Sequence, residues 1–453
     1  MRISLRPACL RRTSRLINAG CRLSDWWQRI SYYLSKLLAA AVWVCERDLW
    51  KLLVGFFFLV LLFVLSLWYL LKDPCETTAA TQHLCEEYER GYVSGTLCYD
   101  LCISRTFVLP RCLSMSGDIM TFHSKKSVAK FKVPPRDGAT MENDKFNIPF
   151  HLHAQEGRLT NEDFHHLLER FIISRLGPVD VTELIERIYN FADASHDGKL
   201  NFGEANSIWE LIHIHEFFIL FLFQGDATFP VINATCGSLY TYDKAFIPAL
   251  YDKKNKGFLD RIFSNTYRWS LPRWDKRVNV AVGLLENVAS LSERGNAQFH
   301  MCNVNPTKYG YTEKFEAKLT YFEDIVSQNQ FELEVKGQPC FRDRDCFHGD
   351  CVMECDTTTG TCTGVLKQPT LVQMCKIIEE YLVFDAPSEV KAALKVLLSK
   401  CKALTSSQEK AQDPTYAVQY NLLLDELSKF LWDQIKSKPV SWLDLPKKKA
   451  APS

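Results

Sequence analysis

D-A-S-H-D-G-K-L-N-F-G-E, residues 193–204, has the register of an EF-hand calcium loop. Asp193, Ser195 and Asp197 stand at loop positions 1, 3 and 5 and offer side-chain oxygens. Gly198 stands at position 6, where the backbone must turn sharply. Lys199 at position 7 contributes only its carbonyl, Asn201 at position 9 ligates directly or through water, and Glu204 at position 12 closes the shell with two oxygens. Apolar Leu200 fills position 8, where paired loops meet. The alternative is a polar helix-to-helix loop with chance acids, against which the glycine, the leucine and the terminal glutamate all speak. Upstream, L-H-A-Q-E-G-R-L-T-N-E-D (152–163) keeps Gly157, Leu159, Thr160 and Asp163 in register. Leu152 and Ala154 replace its first two ligands, so it reads as a hand that kept its shape and lost its metal.

The chain has 453 residues, enough for two or three domains, and a net charge of +1, which argues against a nucleic-acid partner. The charge is uneven: residues 1–51 carry ten Lys/Arg and three Asp/Glu. Residues 52–71, L-L-V-G-F-F-F-L-V-L-L-F-V-L-S-L-W-Y-L-L, carry none. At about 1.5 Å per residue such a helix spans a hydrocarbon layer of about 30 Å, and Trp50, Trp68 and Tyr69 sit where interfacial aromatics belong. The basic flank stays cytoplasmic and puts the C-terminal bulk outside the cytosol, as a retained signal anchor of type II topology. Arg11-Arg12 reads either as an arginine-type retrieval signal or as topogenic charge, and 30–44 as an amphipathic helix at the membrane face.

Cysteine usage agrees. Of 17 cysteines, Cys9, Cys21 and Cys45 precede the apolar segment, leaving an even fourteen beyond it, as a disulfide framework needs. One cluster is Cys75, Cys85, Cys98, Cys102 and Cys112. The other is Cys340, Cys346, Cys351, Cys355 and Cys362, with Cys375 nearby, and has the look of a small disulfide knot. Zinc held by thiolates and His348 is the rival reading there. Asn233-Ala-Thr235 is a glycosylation acceptor if that loop is luminal.

Strand-like runs T-F-V-L-P, D-I-M-T-F-H and S-V-A-K-F-K-V lie within 106–133, and 228–242 alternates like two strands with a turn at Cys236-Gly237. Helical periodicity dominates afterwards, in 278–291, 370–404 and 417–435. A helix is expected to leave the calcium loop and run unbroken over 205–223. Strands first and helices later predict an α+β domain with a small sheet lobe and a larger helical lobe.

C-E-E-Y-E-R-G-Y-V-S-G-T-L-C-Y-D-L-C (85–102), the embedded calcium loop, F-P-V-I-N-A-T-C-G (229–237) and H-M-C-N-V-N-P-T-K-Y-G-Y (300–311) together resemble the divergent protein kinase domain 1 family. These are cysteine-rich single-pass proteins of the endoplasmic reticulum, related to secretory-pathway kinases. The resemblance covers roughly residues 50–440 and implies a protein-kinase-like two-lobe fold with an EF-hand pair inserted in the small lobe, preceded by one transmembrane helix. It implies the following division: cytoplasmic 1–51, anchor 52–71, cysteine-rich 72–112, small lobe 113–150 and 224–243 around the hand pair and its outgoing helix at 151–223. The large lobe follows at 244–440 with its cysteine-rich insert at 340–362, then a tail at 441–453.

A kinase needs a strand lysine for the phosphates, paired with a helix glutamate. The resemblance implies Lys132 for that role, with Lys130 as the alternative on the same strand face, and Glu216 as its partner. The nearest segment to a glycine-rich phosphate loop is S-M-S-G-D (114–118). Asn303 stands where the catalytic aspartate belongs, Lys308 where the metal-binding asparagine belongs, and Tyr321 where the magnesium aspartate belongs. Glu323 or Asp324 substitutes only after a register shift. The expectation is therefore a calcium-binding luminal pseudokinase in the endoplasmic reticulum membrane, with Ca2+ as cofactor, weak or magnesium-independent use of ATP, and an unnamed luminal partner. An active kinase using Glu323 or Asp324 and a non-enzymatic, calcium-stabilised adaptor are the alternatives.

Overall fold

The computed structural model describes residues 30–37, 49–71, 75, 77–110, 112–133, 161–253, 266–292, 294, 297–404 and 414–436. It divides into two units, Met1–Asp73 and Pro74–Ser453. Arg11-Arg12, and the first calcium-type loop as far as residue 160, lie outside the described residues.

In the first unit, residues 30–37 are helical, and the rest of the amphipathic helix expected over 30–44 lies outside the described residues. The apolar run forms one helix of 23 residues, α1 (Leu49–Leu71), with side chains described for 54–66 and almost all exposed. Among the described residues no helix is long and apolar enough to cross a membrane. The spanning role expected for 52–71 thus rests on the sequence.

The second unit is built on a five-stranded antiparallel sheet in the order β1-β2-β3-β5-β4: β1 (Cys112–Ser116), β2 (Ile119–His123), β3 (Ser127–Lys132), β4 (Ile232–Cys236) and β5 (Leu239–Asp243). Alternation along the strands gives the sheet two buried faces. Ala129 and Phe131 of β3, with Met120, Phe122 and Leu239, pack under the cysteine-rich segment through Leu84, Val93, Leu97 and Leu101. Val128, Tyr240 and Tyr242 join the larger core on the opposite face. One helix, α2 (Thr77–Glu89), precedes the sheet, and among the described residues between β3 and β4 there are four: α3 (Asn161–Leu176), α4 (Thr182–Ala192), α5 (Phe202–His213) and α6 (His215–Leu222).

The helix expected to run unbroken over 205–223 is interrupted at Ile214, which is extended (φ −79°, ψ 109°). At the break the Ile214 N–H turns to the Leu211 carbonyl at 3.0 Å, three residues back instead of four, and the His213 Nδ1 lies 2.7 Å from the Trp209 carbonyl.

The remaining chain is largely helical. Helix α7 (Trp274–Ser292) is buried along most of its length and packs against α9 (Thr370–Leu382) and α11 (Pro414–Lys436). The helix read over 370–404 is two, α9 and α10 (Ser388–Lys402), because Pro387 lacks an N–H and disfavours helix in the residue before it. Four short strands, β6 (Phe299–Met301), β7 (Tyr309–Tyr311), β8 (Ala317–Leu319) and β9 (Ile325–Ser327), pair as β6-β9 and β7-β8 and carry the catalytic-type segments. Helix α8 (Gln328–Glu334) leads into a three-stranded knot of β10 (Phe347–His348), β11 (Cys351–Asp356) and β12 (Thr361–Leu366).

All fourteen cysteines beyond the apolar segment are paired. Cys75–Cys112 and Cys85–Cys102 close the cysteine-rich segment on itself and on β1, and Cys98–Cys236, 138 residues apart, fastens it to β4. Cys340–Cys355 and Cys346–Cys362 lace the knot, Cys302–Cys351 ties it to the segment after β6, and Cys375–Cys401 joins α9 to α10. The thiolates a zinc site in the knot requires are consumed by these bonds, and His348 turns its Nδ1 to Glu334 at 2.8 Å.

Candidate functional site

Strand β3 sets two lysines on the same face, Lys130 in mid-sheet opposite Thr121 and Tyr240, and Lys132 at the strand end opposite Ile119. Helix α6 begins one residue before Glu216 and holds that carboxylate buried at 5% exposure against the sheet. Lys130, not Lys132, forms the ion pair with Glu216. Lys132 instead reaches Asp118 in the β1–β2 turn at 3.8 Å. Lys130, the alternative on the same strand face, is thus the lysine that pairs with Glu216, one strand repeat, about 6.7 Å, from Lys132. Burial pushes the Glu216 carboxyl up against the pull of Lys130.

Across from this pair lies a second cluster. Asn303 follows β6 and donates to Asp350 of the knot. Lys308 closes a short 3-10 turn, Pro306–Lys308, capped by the Asn305 side chain accepting from the Thr307 N–H at 3.0 Å. Its ammonium forms an ion pair with Asp324 and lies 4.6 Å from the centre of the Tyr321 ring. Burial lowers the Lys308 pKa, while Asp350 and Glu323 hold it up. Tyr321 donates to Glu323 Oε2 at 2.6 Å, and burial together with that carboxylate pushes its hydroxyl up to about 12. The three positions where the sequence departs from a working kinase therefore share one acidic patch. A cation supplied by the chain itself sits among Asp324, Glu323 and Asp350.

The two clusters approach each other. Asp118, Lys132, His215, Glu216, Glu323 and His348 all line one cavity of about 520 Å³, and the charge of Glu323 raises the Glu216 pKa. His215 joins the halves by a hydrogen bond to the Ile325 backbone, a tie no sequence signal marks.

The loop between α4 and α5 folds its oxygens inward. Asp193 accepts from the Gly198 N–H at 2.9 Å and the Asp197 N–H at 3.2 Å, and from the Ser195 hydroxyl at 3.3 Å. Burial is the largest single influence and raises its carboxyl, but these donors together, with the His196 N–H, outweigh it and hold the carboxyl below the usual carboxylate range. Glu204 accepts from the N–H groups of Ser195 and Asn201, both at 2.9 Å, which brings the last loop position onto the third and the ninth. Asn201 returns the bond to the Glu204 N–H at 3.0 Å and so caps α5. Gly198 has φ +78°, the left-handed conformation its position requires. Lys199 is exposed and donates its N–H to Asp197 Oδ1 at 2.9 Å, leaving its carbonyl to serve as a ligand. These are hard oxygen donors of the kind calcium selects.

Helix α5 carries that loop onto the cysteine-rich segment. Ser207 accepts from the Ser94 N–H at 2.8 Å and Asn206 donates to the Tyr92 carbonyl at 3.0 Å. A side chain at Gly203 would meet the Gly91 carbonyl at 2.8 Å, so the two backbones touch there.

Two family models match the chain. One, described as the N-terminal cysteine-rich endoplasmic reticulum segment of FAM69, covers residues 47–190, and the other, the protein-kinase domain of FAM69, covers residues 208–404. The chain belongs to the FAM69 family. This is the divergent protein kinase domain 1 family to which the sequence motifs pointed. The kinase-domain match takes in Glu216 on α6, the strands β4 and β5 and the chain from α7 through α10, while Lys130 on β3 lies in the cysteine-rich match. The S-M-S-G-D segment is the β1–β2 hairpin, turning at Gly117 and Asp118. Asn233, the glycosylation acceptor, is exposed on β4 and donates to Asp243 at 3.0 Å.

Proposed function

We propose that this FAM69 protein is a calcium-binding pseudokinase, anchored by residues 52–71 in the endoplasmic reticulum membrane with its kinase-like domain in the lumen. The observation that carries the pseudokinase reading is the Lys308–Asp324 ion pair. Kinases hold magnesium with carboxylate and amide oxygens and position the substrate hydroxyl with an aspartate. Here the only side-chain oxygen at the aspartate position is the Asn303 amide, which is no base. The Lys308 ammonium neutralises Asp324 and repels a divalent cation. A nucleotide entering this cleft would meet Lys130 and Lys308 as fixed cations and would need no magnesium. Calcium, held by Asp193, Ser195, Asp197, the Lys199 carbonyl, Asn201 and Glu204, supplies charge that draws the loop together and orders the start of α5.

The test is direct nucleotide binding to the purified protein, with and without Mg2+ and Ca2+. Binding that is weak and insensitive to Mg2+ supports the proposal; absence of binding favours the adaptor reading.

An active kinase is the second reading, favoured by one observation: the Lys130–Glu216 pair is intact. Magnesium-dependent transfer from ATP, abolished by Asp324→Asn or Glu323→Gln and kept in Glu204→Gln, would establish it.

A further inference from the structure

Helix α3 carries E-D-F-H-H-L-L-E over 162–169. The spacing puts Glu162, His165, His166 and Glu169 on one side of the helix, at i, i+3, i+4 and i+7. The buried side carries Phe164, Leu167, Leu168 and Phe171 instead. His165 and His166 are exposed, and Glu169 is half-buried. One nitrogen from each imidazole and one Glu169 carboxylate oxygen all lie within 4.8 Å of one another. His166 Nδ1 and Glu169 Oε2 are 3.5 Å apart. Two ligands bound tetrahedrally to zinc at about 2.1 Å are themselves separated by about 3.4 Å. The pair is thus already at the spacing of two ligands on one ion, and a His165 nitrogen lies within 4.8 Å of both.

Helix α4 faces the two histidines across a cavity of about 460 Å³, lined by Glu162, His165, His166, Glu186 and Asn190, with Glu169 beside it, outside the lining. The two helices are held in place there by Tyr189, whose hydroxyl donates to the Asn161 carbonyl at 2.8 Å and whose ring stands 6.0 Å from that of His165. Glu162 and Glu186 give the opening a negative potential.

We propose that His165, His166 and Glu169 form a binding site for a zinc-class divalent cation, with the fourth position open to water. Two imidazoles and one carboxylate suit zinc and its neighbours, which prefer nitrogen donors. Calcium prefers the all-oxygen shell of the 193–204 loop. The two sites therefore sort cations by donor chemistry, and the α3 site stands whether or not that loop binds calcium. No cysteine competes among the described residues beyond the apolar segment, since all fourteen form disulfides.

The experiment is a Zn2+ titration of the full chain in detergent against a chromophoric chelator, in millimolar Ca2+, with Co2+ as a spectroscopic reporter. One high-affinity Zn2+ per chain is expected, with Co2+ giving the visible absorption of a low-coordinate nitrogen–oxygen site. His165→Ala and Glu169→Gln should each weaken Zn2+ binding at least tenfold. Glu204→Gln should leave it unchanged. These side chains are exposed or half-buried, so circular dichroism should stay that of the parent protein. Zn2+ uptake undiminished in the His165→Ala/His166→Ala double variant, or Zn2+ displaced by millimolar Ca2+, would overturn the proposal.

Discussion

Lys130 and Glu216 stand 86 residues apart in sequence and form a buried ion pair between the middle strand of the sheet and the first turn of α6. The insertion between them contains the calcium-type loop. That loop reaches the pair through α5 and the joint at Ile214, not through a continuous helix. Calcium binding can shift Glu216 only if the joint transmits the movement.

Lys130 and Lys132 should separate cleanly on mutation. Lys130→Ala leaves the Glu216 carboxylate buried and unpaired, which costs about 3–5 kcal/mol. Lys132→Ala removes a partly exposed contact with Asp118 and should cost less than about 1 kcal/mol. Denaturant unfolding of both variants checks this. Equal losses would show that the ion pair carries no special weight.

Lys308→Asn restores the residue type a kinase uses for metal and removes the ammonium from Asp324. Nucleotide binding in that variant should gain a dependence on Mg2+ that the parent lacks. Titrations of a fluorescent nucleotide at several Mg2+ concentrations read the change. Identical, magnesium-insensitive curves would separate Lys308 from the metal chemistry.

Glu204→Gln removes charge from the bidentate position of the loop and should weaken calcium binding by more than tenfold. The parent should also melt higher in calcium, by about 2.7 kcal/mol when calcium is at a hundred times its dissociation constant. Glu204→Gln should lose most of that gain, and Asp163→Asn should keep it. Calorimetry on the three proteins distinguishes these outcomes.

Glu210 on α5 should make stability pH-dependent. Burial, then the neighbouring Glu87 charge, raises its carboxyl from 4.5 to about 7, with Lys132 opposing. A carboxyl with a raised folded pKa holds its proton more tightly in the folded chain. Its contribution is fully present below pH 4.5 and is lost as pH climbs through about 7. Glu210→Gln should therefore gain up to about 3 kcal/mol on the parent at pH 8 and nothing at pH 4.5. Melting curves across that range test it, and a pH-independent difference would count against a titrating Glu210.

Topology yields the last expectation. Expression in mammalian cells should place a glycan on Asn233, removed by Asn233→Gln, and protease added to intact microsomes should spare the chain beyond residue 71. Digestion of that part from the cytosolic side would reverse the orientation.

Much of this protein was legible in order along the chain. The strands β2 to β5 and the cysteine-rich clusters are local patterns, because strand alternation and thiol number are set by neighbours in sequence. T-F-V-L-P, expected as a strand, is not one, and the first strand is instead Cys112–Ser116, whose side chains are mostly exposed and give no apolar run. Tertiary structure decided which groups meet. Lys130 and Lys132 share residue type and strand face, and only the height of α6 along β3 selects Lys130. The seven disulfide pairings depend on distances that cysteine spacing does not contain. The break at Ile214, where the backbone turns extended between α5 and α6, is a change that apolar helical periodicity does not register. The meeting of Lys308 with Asp324, sixteen residues away, required the β6-β9 pair to close around the β7-β8 hairpin so that a cation and the carboxylates around it came to share one acidic patch.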